Sequence, residues 1–291
     1  LATRQINSST SRHINNSIIH LLMPVRFTLI FFACCLLSAC KQDTKSATGA
    51  RIVTPVNDRY TPLYGNWIAI DFCSYANQYG SILTAMNNTH LPYAYAFTFT
   101  DSNRDSITCY SGAETWKLPI RFEADTLVEV LNARNGKSVF LSYNPSGNQD
   151  MTLFDGTLAR ASTNRLIKAT GYEKTGYQAF QTALNHQLMG GKFASVGKSS
   201  GTVEFLPTGQ ITGLEGYDRY ELCTGGDCFI AAQETDVILL SDSKTTAPAQ
   251  YLGFKFDPNG TALTLSELIA TNPAEKGTAK VGKVLYRLKR Q

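Results

Sequence analysis

Charge is scarce in this chain of 291 residues: Asp, Glu, Lys and Arg make up 17% of it. The formal charge of +4 falls to about +1 once the acid-free stretch before Cys40, with Arg4, Arg12 and Arg26, is set aside. What is left has no basic footprint for nucleic acid and no field that would steer an acidic substrate. Histidine is scarcer still, with only His90 and His186 beyond Cys40. No Gly-x-Ser-x-Gly elbow presents a serine to either of them, and no His-Glu-x-x-His spacing offers a zinc site. Gly190-Gly191 and Gly225-Gly226 lack the strand-to-helix setting of a phosphate loop and read as turns. These absences point away from an enzyme and from any metal or cofactor. The apolar run Phe27–Leu37 has 11 residues, against the roughly 20 that a membrane-spanning helix needs.

That short run is nonetheless informative. Met23-Pro-Val-Arg26 supplies a positive leader and Phe27–Leu37 the apolar centre of a secretory signal, spanning 23–39. Residues 1–22 lie upstream of this better start and read as an extension that adds nothing to the fold. Leu37-Ser38-Ala39-Cys40 resembles the lipobox of bacterial lipoproteins. The resemblance implies cleavage before Cys40, acylation of its sulfur and new amine, and anchoring to a membrane by three acyl chains. At about 0.8 kcal/mol per buried methylene, such an anchor does not let go. Lys41 in the following position implies an outer-membrane lipoprotein whose body faces the periplasm.

Residues 40–62 are rich in Thr, Ser, Lys, Asp and Pro and read as a tether. Beyond it, alternation with a period of two dominates, most clearly in Tyr93-Ala-Tyr95-Ala-Phe97-Thr-Phe99-Thr, where every aromatic falls on one face. Similar runs at Thr202–Leu206, Asp236–Leu240, Tyr251–Phe256 and Val284–Leu288 end in turn residues. The pattern predicts a mainly β protein with antiparallel strands. Leu63-Tyr-Gly65-Asn-Trp67 is echoed by Met189-Gly-Gly191-Lys-Phe193. Tyr143-Asn-Pro145-Ser-Gly147 is echoed by Phe256-Asp-Pro258-Asn-Gly260, with a third such turn at Phe205-Leu-Pro207-Thr-Gly209. The repeated order predicts two tandem barrels, over 63–170 and 171–291. Between them, Tyr172, Phe180, Ala183, Leu184 and Leu188 form one helical stripe ending at Gly190-Gly191. A shorter helix is expected over Tyr75–Met86, where Ile82, Leu83 and Met86 would cover a barrel end.

A Gly-x-Trp on the first strand, a ladder of short strands and a closing strand Val284-Leu-Tyr286-Arg287-Leu288 resemble the lipocalin-like barrels of the calycin group. In that group the tryptophan closes the barrel base and an arginine packs across it. The resemblance implies these places for Trp67 and Arg287, though the two lie in different halves. It also implies a fold more than a function.

Four cysteines, Cys73, Cys109, Cys223 and Cys228, remain beside Cys40 after signal removal, which in an exported protein suggests two disulfides. Three pairings are possible; position favours Cys73 with Cys109 and Cys223 with Cys228. The Cys-x4-Cys spacing of the second pair has no histidine nearby and favours a disulfide over a metal site. Glu123 with Asp125 and Glu234 with Asp236 are i,i+2 neighbours that read as solvated strand faces rather than glycosidase pairs. The aromatic face Tyr93, Tyr95, Phe97 and Phe99 is a candidate ligand-binding surface, since tyrosines combine an apolar body with a polar tip. The resulting expectation is a non-enzymatic, membrane-anchored envelope lipoprotein that binds a small apolar ligand or envelope component. The alternative is a scaffold that engages another envelope protein in assembly or stress sensing.

Overall fold

The computed structural model describes residues 59–291 apart from 88–90, 113, 145–149, 159–160, 172, 198–200, 226–234 and 271–278. Cys40, Cys228, His90, Glu234 and Tyr172 therefore lie outside the described residues, as do the signal segment and most of the tether.

Eight strands run up and down into a closed barrel: β1 Gly65–Ala69, β2 Ala96–Thr100, β3 Asn103–Ser111, β4 Glu114–Ala124, β5 Leu127–Arg134, β6 Lys137–Tyr143, β7 Asp150–Asp155 and β8 Ser162–Lys168, with β8 returning to β1. Every pairing is antiparallel. Short turns fix the register. Arg134 pairs with Lys137 across Asn135-Gly136, whose φ of 51° and 75° suit the two-residue turn that matches strand twist.

The second sheet repeats this plan with β9 Gly191–Ser195, β10 Thr202–Phe205, β11 Ile211–Thr212, β12 Arg219–Leu222, β13 Asp236–Ser241, β14 Gln250–Phe256, β15 Ala262–Ala270 and β16 Ala279–Arg290. Its edge strands β11 and β12 meet at one bridge, Gln210 with Arg219, flanked by Ile211 N to Asp218 O at 3.0 Å and Tyr220 N to Gly209 O at 2.7 Å. The sheet is thus a nearly closed barrel. The expected mainly β architecture of two barrels is what forms.

The repeat becomes concrete at the barrel bases. Trp67 on β1 is the direct cross-strand partner of Lys168 on β8, and Phe193 on β9 is that of Arg290 on β16. Lys168 Nζ lies 5.8 Å from the Trp67 ring centre and donates to Pro62 O at 3.1 Å. The Arg290 guanidinium lies 4.9 Å from the Phe193 ring centre and donates to Gly190 O at 3.0 Å and Leu188 O at 3.1 Å. Two residues before each aromatic stands a glycine with φ of 111° (Gly65) or 133° (Gly191), a conformation that strains other residues. A Cβ on Gly65 would sit 3.2 Å from the Lys168 side chain. Arg287 does not take the place that the resemblance implies for it: it is exposed, opposite Thr264, because its strand register turns it outward. Each barrel supplies its own cation instead.

Three helices join the barrels. α1 Ile70–Tyr79 starts directly after β1, and Gly80 at φ 60° caps its end. Then follows α2 Ile82–Asn87. The helix expected over Tyr75–Met86 is thus two helices broken at Gly80. α3 Gly176–Leu184 begins at Thr175, whose hydroxyl accepts from Gln178 N at 3.2 Å, and runs into a wider turn, Asn185–Met189. The stacked rings of Tyr95 and Phe180, 4.7 Å apart, with Phe72 at 4.8 Å from Tyr95, clamp α1 and α3 onto the first barrel. At Gly176 the approach is so close that a Cβ would come within 2.8 Å of the Tyr110 ring.

The base of the second barrel rests on this helical layer. Asp236 Oδ1 accepts from Leu83 N at 2.7 Å, and a Cβ on Gly80 would lie 3.2 Å from Phe256 Cβ. One apolar core runs from Leu63 and Trp67 through Phe72, Phe180 and Leu184 to Phe193 and Leu265. The described residues from Arg59 to Gln291 accordingly form one compact unit. The end of the expected tether belongs to this body: Tyr60 is buried, packs against Phe99 and Phe122 and donates to Asn103 O, closing the first barrel.

Candidate functional site

The aromatic face singled out in the sequence is core. Phe97 and Phe99 are buried within the first barrel, and Tyr95 packs between Phe72 and Phe180. Tyr93 is half-buried, donates to Ala133 O at 2.7 Å and accepts from Trp116 Nε1 at 3.2 Å. None of the described cavities has Tyr93, Tyr95, Phe97 or Phe99 in its wall. Alternation holds only for Phe97 and Phe99, since β2 begins at Ala96 and Tyr93 and Tyr95 lie in the bend before it. The pattern does not reveal that Ala94 and Ala96 are as buried as the rings beside them.

Cys73 and Cys109 are buried free thiols, which corrects the disulfide expected between them. Cys73 lies on α1, which packs on α2, α3 and β8, whereas Cys109 lies on β3, between β2 and β4. Burial pushes the Cys109 thiol up to about 12 and that of Cys73 higher, so both stay protonated. Cys223 is buried; Cys228, its expected partner, is outside the described residues. Glu123 pairs with Arg121, Asp125 pairs with Arg59 at 3.3 Å, and Asp236 caps α2, so these carboxylates are occupied structurally. His186 is exposed on the turn after α3. Among the described residues no cluster of three or more His, Cys, Asp or Glu could hold a metal.

The most distinctive site is a trough of about 570 Å³ along α3. Tyr177, Gln181 and Asn185 fall four residues apart and so share one helical face. Opposite them stand Tyr220 and Glu221 of β12 and the turn Pro207–Gly209; Gly171 and Glu173 close the end nearest the first barrel. Gln181 is 8% exposed and Asn185 3%. Gln181 Nε2 donates to Leu222 O at 3.1 Å and to the Tyr177 hydroxyl at 2.8 Å; Asn185 Nδ2 donates to Pro207 O at 3.1 Å. A backbone carbonyl only accepts, so these contacts fix both amides with nitrogen toward the carbonyl. Among the described residues, their oxygens, Gln181 Oε1 and Asn185 Oδ1, have no hydrogen-bond partner, nor has Glu173 Oε2, and all three are shielded from solvent.

Tyr177 donates to Glu221 Oε1 at 2.8 Å. Burial, reinforced by the Glu221 carboxylate, pushes its phenol well above the usual range, so it remains a donor to Glu221 and an acceptor for Gln181. The wall of the trough contains two carboxylates, three amides and two phenols, and no Lys or Arg. An adjoining groove of about 390 Å³ shares Gly171, Glu173, Thr182 and Pro207 with it and is walled by Ile68, Ile70, Ile167 and Ala169. A larger cavity of about 650 Å³ beside the β14–β15 turn has no unpartnered buried side-chain atom in its wall. The trough was missed in the sequence because the Tyr177-Gln181-Asn185 spacing reads as the solvated side of a helix.

No family model, curated protein or solved structure matches this chain.

Proposed function

We propose that this chain is a lipocalin-like bacterial envelope lipoprotein that works by binding, with the trough along α3 and its apolar neighbour as the binding surface. One observation supports the binding reading above others: a trough of about 570 Å³ lined by two phenols, three amides and two carboxylates adjoins a groove walled by isoleucine. Concave sites that combine an apolar wall with a few polar groups are where small ligands bind. Amides neither exchange protons nor attack at neutral pH, so they suit holding a ligand rather than transforming it. The isoleucine-walled groove alongside suits a ligand with an apolar body and a polar head. The packed aromatic interior of the first barrel favours this outer surface over a ligand inside it.

Anchoring is proposed from the sequence: signal 23–39, acylation at Cys40, a tether beyond it and a body facing the periplasm from the outer membrane. The test is metabolic labelling with alkynyl palmitate in a lipoprotein-processing bacterium. Label on the wild-type chain, lost in Cys40→Ser, and recovery in the outer-membrane fraction are the expected results. An unlabelled chain, or one that stays in the cytosol, would overturn the assignment. The alternative reading as a scaffold draws on Tyr251, Val281 and Val284, which are 50%, 51% and 41% exposed on the outer face of β14 and β16. Site-specific photocrosslinking from Tyr251 in whole cells tests it; an absence of adducts there counts against the scaffold.

A further inference from the structure

The outer wall of the second barrel has an apolar cluster of its own. Cys223, Val237, Leu239 and Leu268 pack together apart from the main core. Register lines the side chains up in rows across the strands. Val237 of β13, Gly253 of β14, Ser266 of β15 and Val284 of β16 are successive partners, and the pairs Leu239 with Tyr251 and Leu268 with Val281 lie beside them. A Cβ on Gly253 would sit 3.3 Å from the Leu268 side chain, which joins the two rows. Leu252, Phe254 and Leu265, between these positions, are buried in the core, so the rows belong to the opposite face. Tyr251, Val281 and Val284 are exposed there.

The next row on this face is basic. Lys255 pairs with Thr264 and Thr264 with Arg287, and Lys289 follows two residues on; all three cations are exposed. One pleat period, about 7 Å, separates this row from that of Gly253. Among the described residues none of the three pairs with a carboxylate. Asp257 accepts from Thr261 and Ala262, and Glu267 is opposite the buried Leu252 and so turns to the other side. The whole of β16 has five basic residues and no acid.

We propose that the outer wall of β13–β16 is a membrane-contact face, in which Tyr251, Val281 and Val284 enter the interface of an anionic lipid leaflet while Lys255, Arg287 and Lys289 reach its phosphates. Apolar side chains settle at the boundary of headgroups and acyl chains, and the stems of lysine and arginine carry their charge outward to the lipid anions. Protein interfaces are depleted of lysine, and a twofold pairing with a second copy would add cations without an acid to meet them. The chain also has the reach. Between Cys40 and Arg59 lie 18 residues, which span at most about 60 Å when extended. On the proposed reading that Cys40 is acylated, this length keeps the body close enough to a membrane for a weak contact to be populated.

The test places the full chain, purified from a lipoprotein-processing bacterium, on vesicles of brominated phosphatidylcholine with and without phosphatidylglycerol, and flotation records binding. Tyr251→Trp adds one reporter to Trp67 and Trp116 of the first barrel. Its emission, taken as the difference from wild type, should be quenched on the anionic vesicles and far less on the neutral ones, since two exposed cations shift partition onto an anionic surface about tenfold. Lys255→Gln combined with Arg287→Gln should bring the anionic vesicles to the neutral level, and an unchanged melting curve excludes misfolding as the cause. A chain that floats without quenching of the introduced tryptophan would overturn the face and leave the anchor standing. Quenching that ignores phosphatidylglycerol or the double variant would overturn the basic row and the proposal with it. Quenching on anionic vesicles by a chain that takes no palmitate label would uphold the face and overturn the anchor, whereas a chain that does not float at all would overturn both. Emission that follows protein density rather than lipid composition would assign the face to a second copy, and a protein adduct from position 251 in cells would assign it to a partner; either result overturns the lipid.

Discussion

Truncating Arg290 probes whether the two barrels share one fate. Its guanidinium donates to Gly190 O and Leu188 O and lies over Phe193 and, at 5.8 Å, Phe256. Burial pulls its pKa below the usual value, so the site holds the charge in a partly desolvated place. Hydrogen bonds from a charged donor contribute about 1.5–3 kcal/mol each, and a cation over a ring about 0.5–2 kcal/mol. These terms overlap and Arg290 is only half-buried, so Arg290→Ala should cost about 2–4 kcal/mol, a large fraction of the 5–15 kcal/mol that a domain has. With a urea slope of about 2–3 kcal/mol/M for a body of this size, the midpoint should fall by about 1–2 M. The readout is built into the chain. Both of its tryptophans, Trp67 and Trp116, belong to the first barrel, whereas Arg290 belongs to the second. If one core joins the barrels through Phe72, Phe180 and Leu184, tryptophan fluorescence and far-UV circular dichroism should shift together. A midpoint loss below about 0.5 M, or a circular dichroism transition that separates from the fluorescence one, would refute the argument.

Two other perturbations follow from the same core. Burial raises the Asp236 carboxyl above its ordinary value of 3.8, against the hydrogen bonds it accepts from Leu83 and Ser81. A raised folded pKa means that the folded state binds the proton more tightly, so stability falls as pH rises from about the ordinary carboxylate value through the folded one, and the penalty is complete above it. Asp236→Asn keeps an acceptor for Leu83 N and removes the charge; its melting temperature at pH 7 should equal or exceed that of the wild type, with a flatter dependence above pH 4, and a clearly lower melt with an unchanged slope would contradict this. For the cysteines, peptide mapping after treatment with a charged maleimide at pH 8 should find Cys73 and Cys109 unmodified in the native protein and modified in urea. Recovery of a Cys73–Cys109 disulfide peptide from unreduced protein would show the assignment of free thiols to be mistaken.

Local pattern carries far in this chain because strand alternation and turn chemistry act over a few residues. Thr202–Leu206, Asp236–Leu240 and Tyr251–Phe256 all appear as strands near the places that alternation predicts. Gly65 and Gly191 open β1 and β9 in matching conformations, so the short echo around them marks a real structural repeat. Asn135-Gly136 is an equally local signal, the dipeptide of a two-residue hairpin turn between β5 and β6. Helix ends were less legible: Gly80 divides one expected helix into two, and α3 waits for Thr175 as its cap rather than starting at Tyr172.

What depends on register and on packing between distant segments was beyond the reach of pattern. Arg287 and Arg290 stand three residues apart on one strand, and nothing in their immediate sequence says which turns inward; pairing of Arg290 with Phe193 decides it. Cys73 and Cys109 looked like partners by position, yet the fold puts one on α1 and the other on β3, and both are free thiols. Tyr177, Gln181 and Asn185 had the spacing of a solvated helix face, and only the arrival of β12 and the Pro207 turn made that face a walled trough. The order of strands, the two barrels and their joining helices are thus properties of neighbouring residues. The site belongs to contacts made across tens of residues, where a side chain's surroundings come from chain segments that its own neighbourhood does not encode.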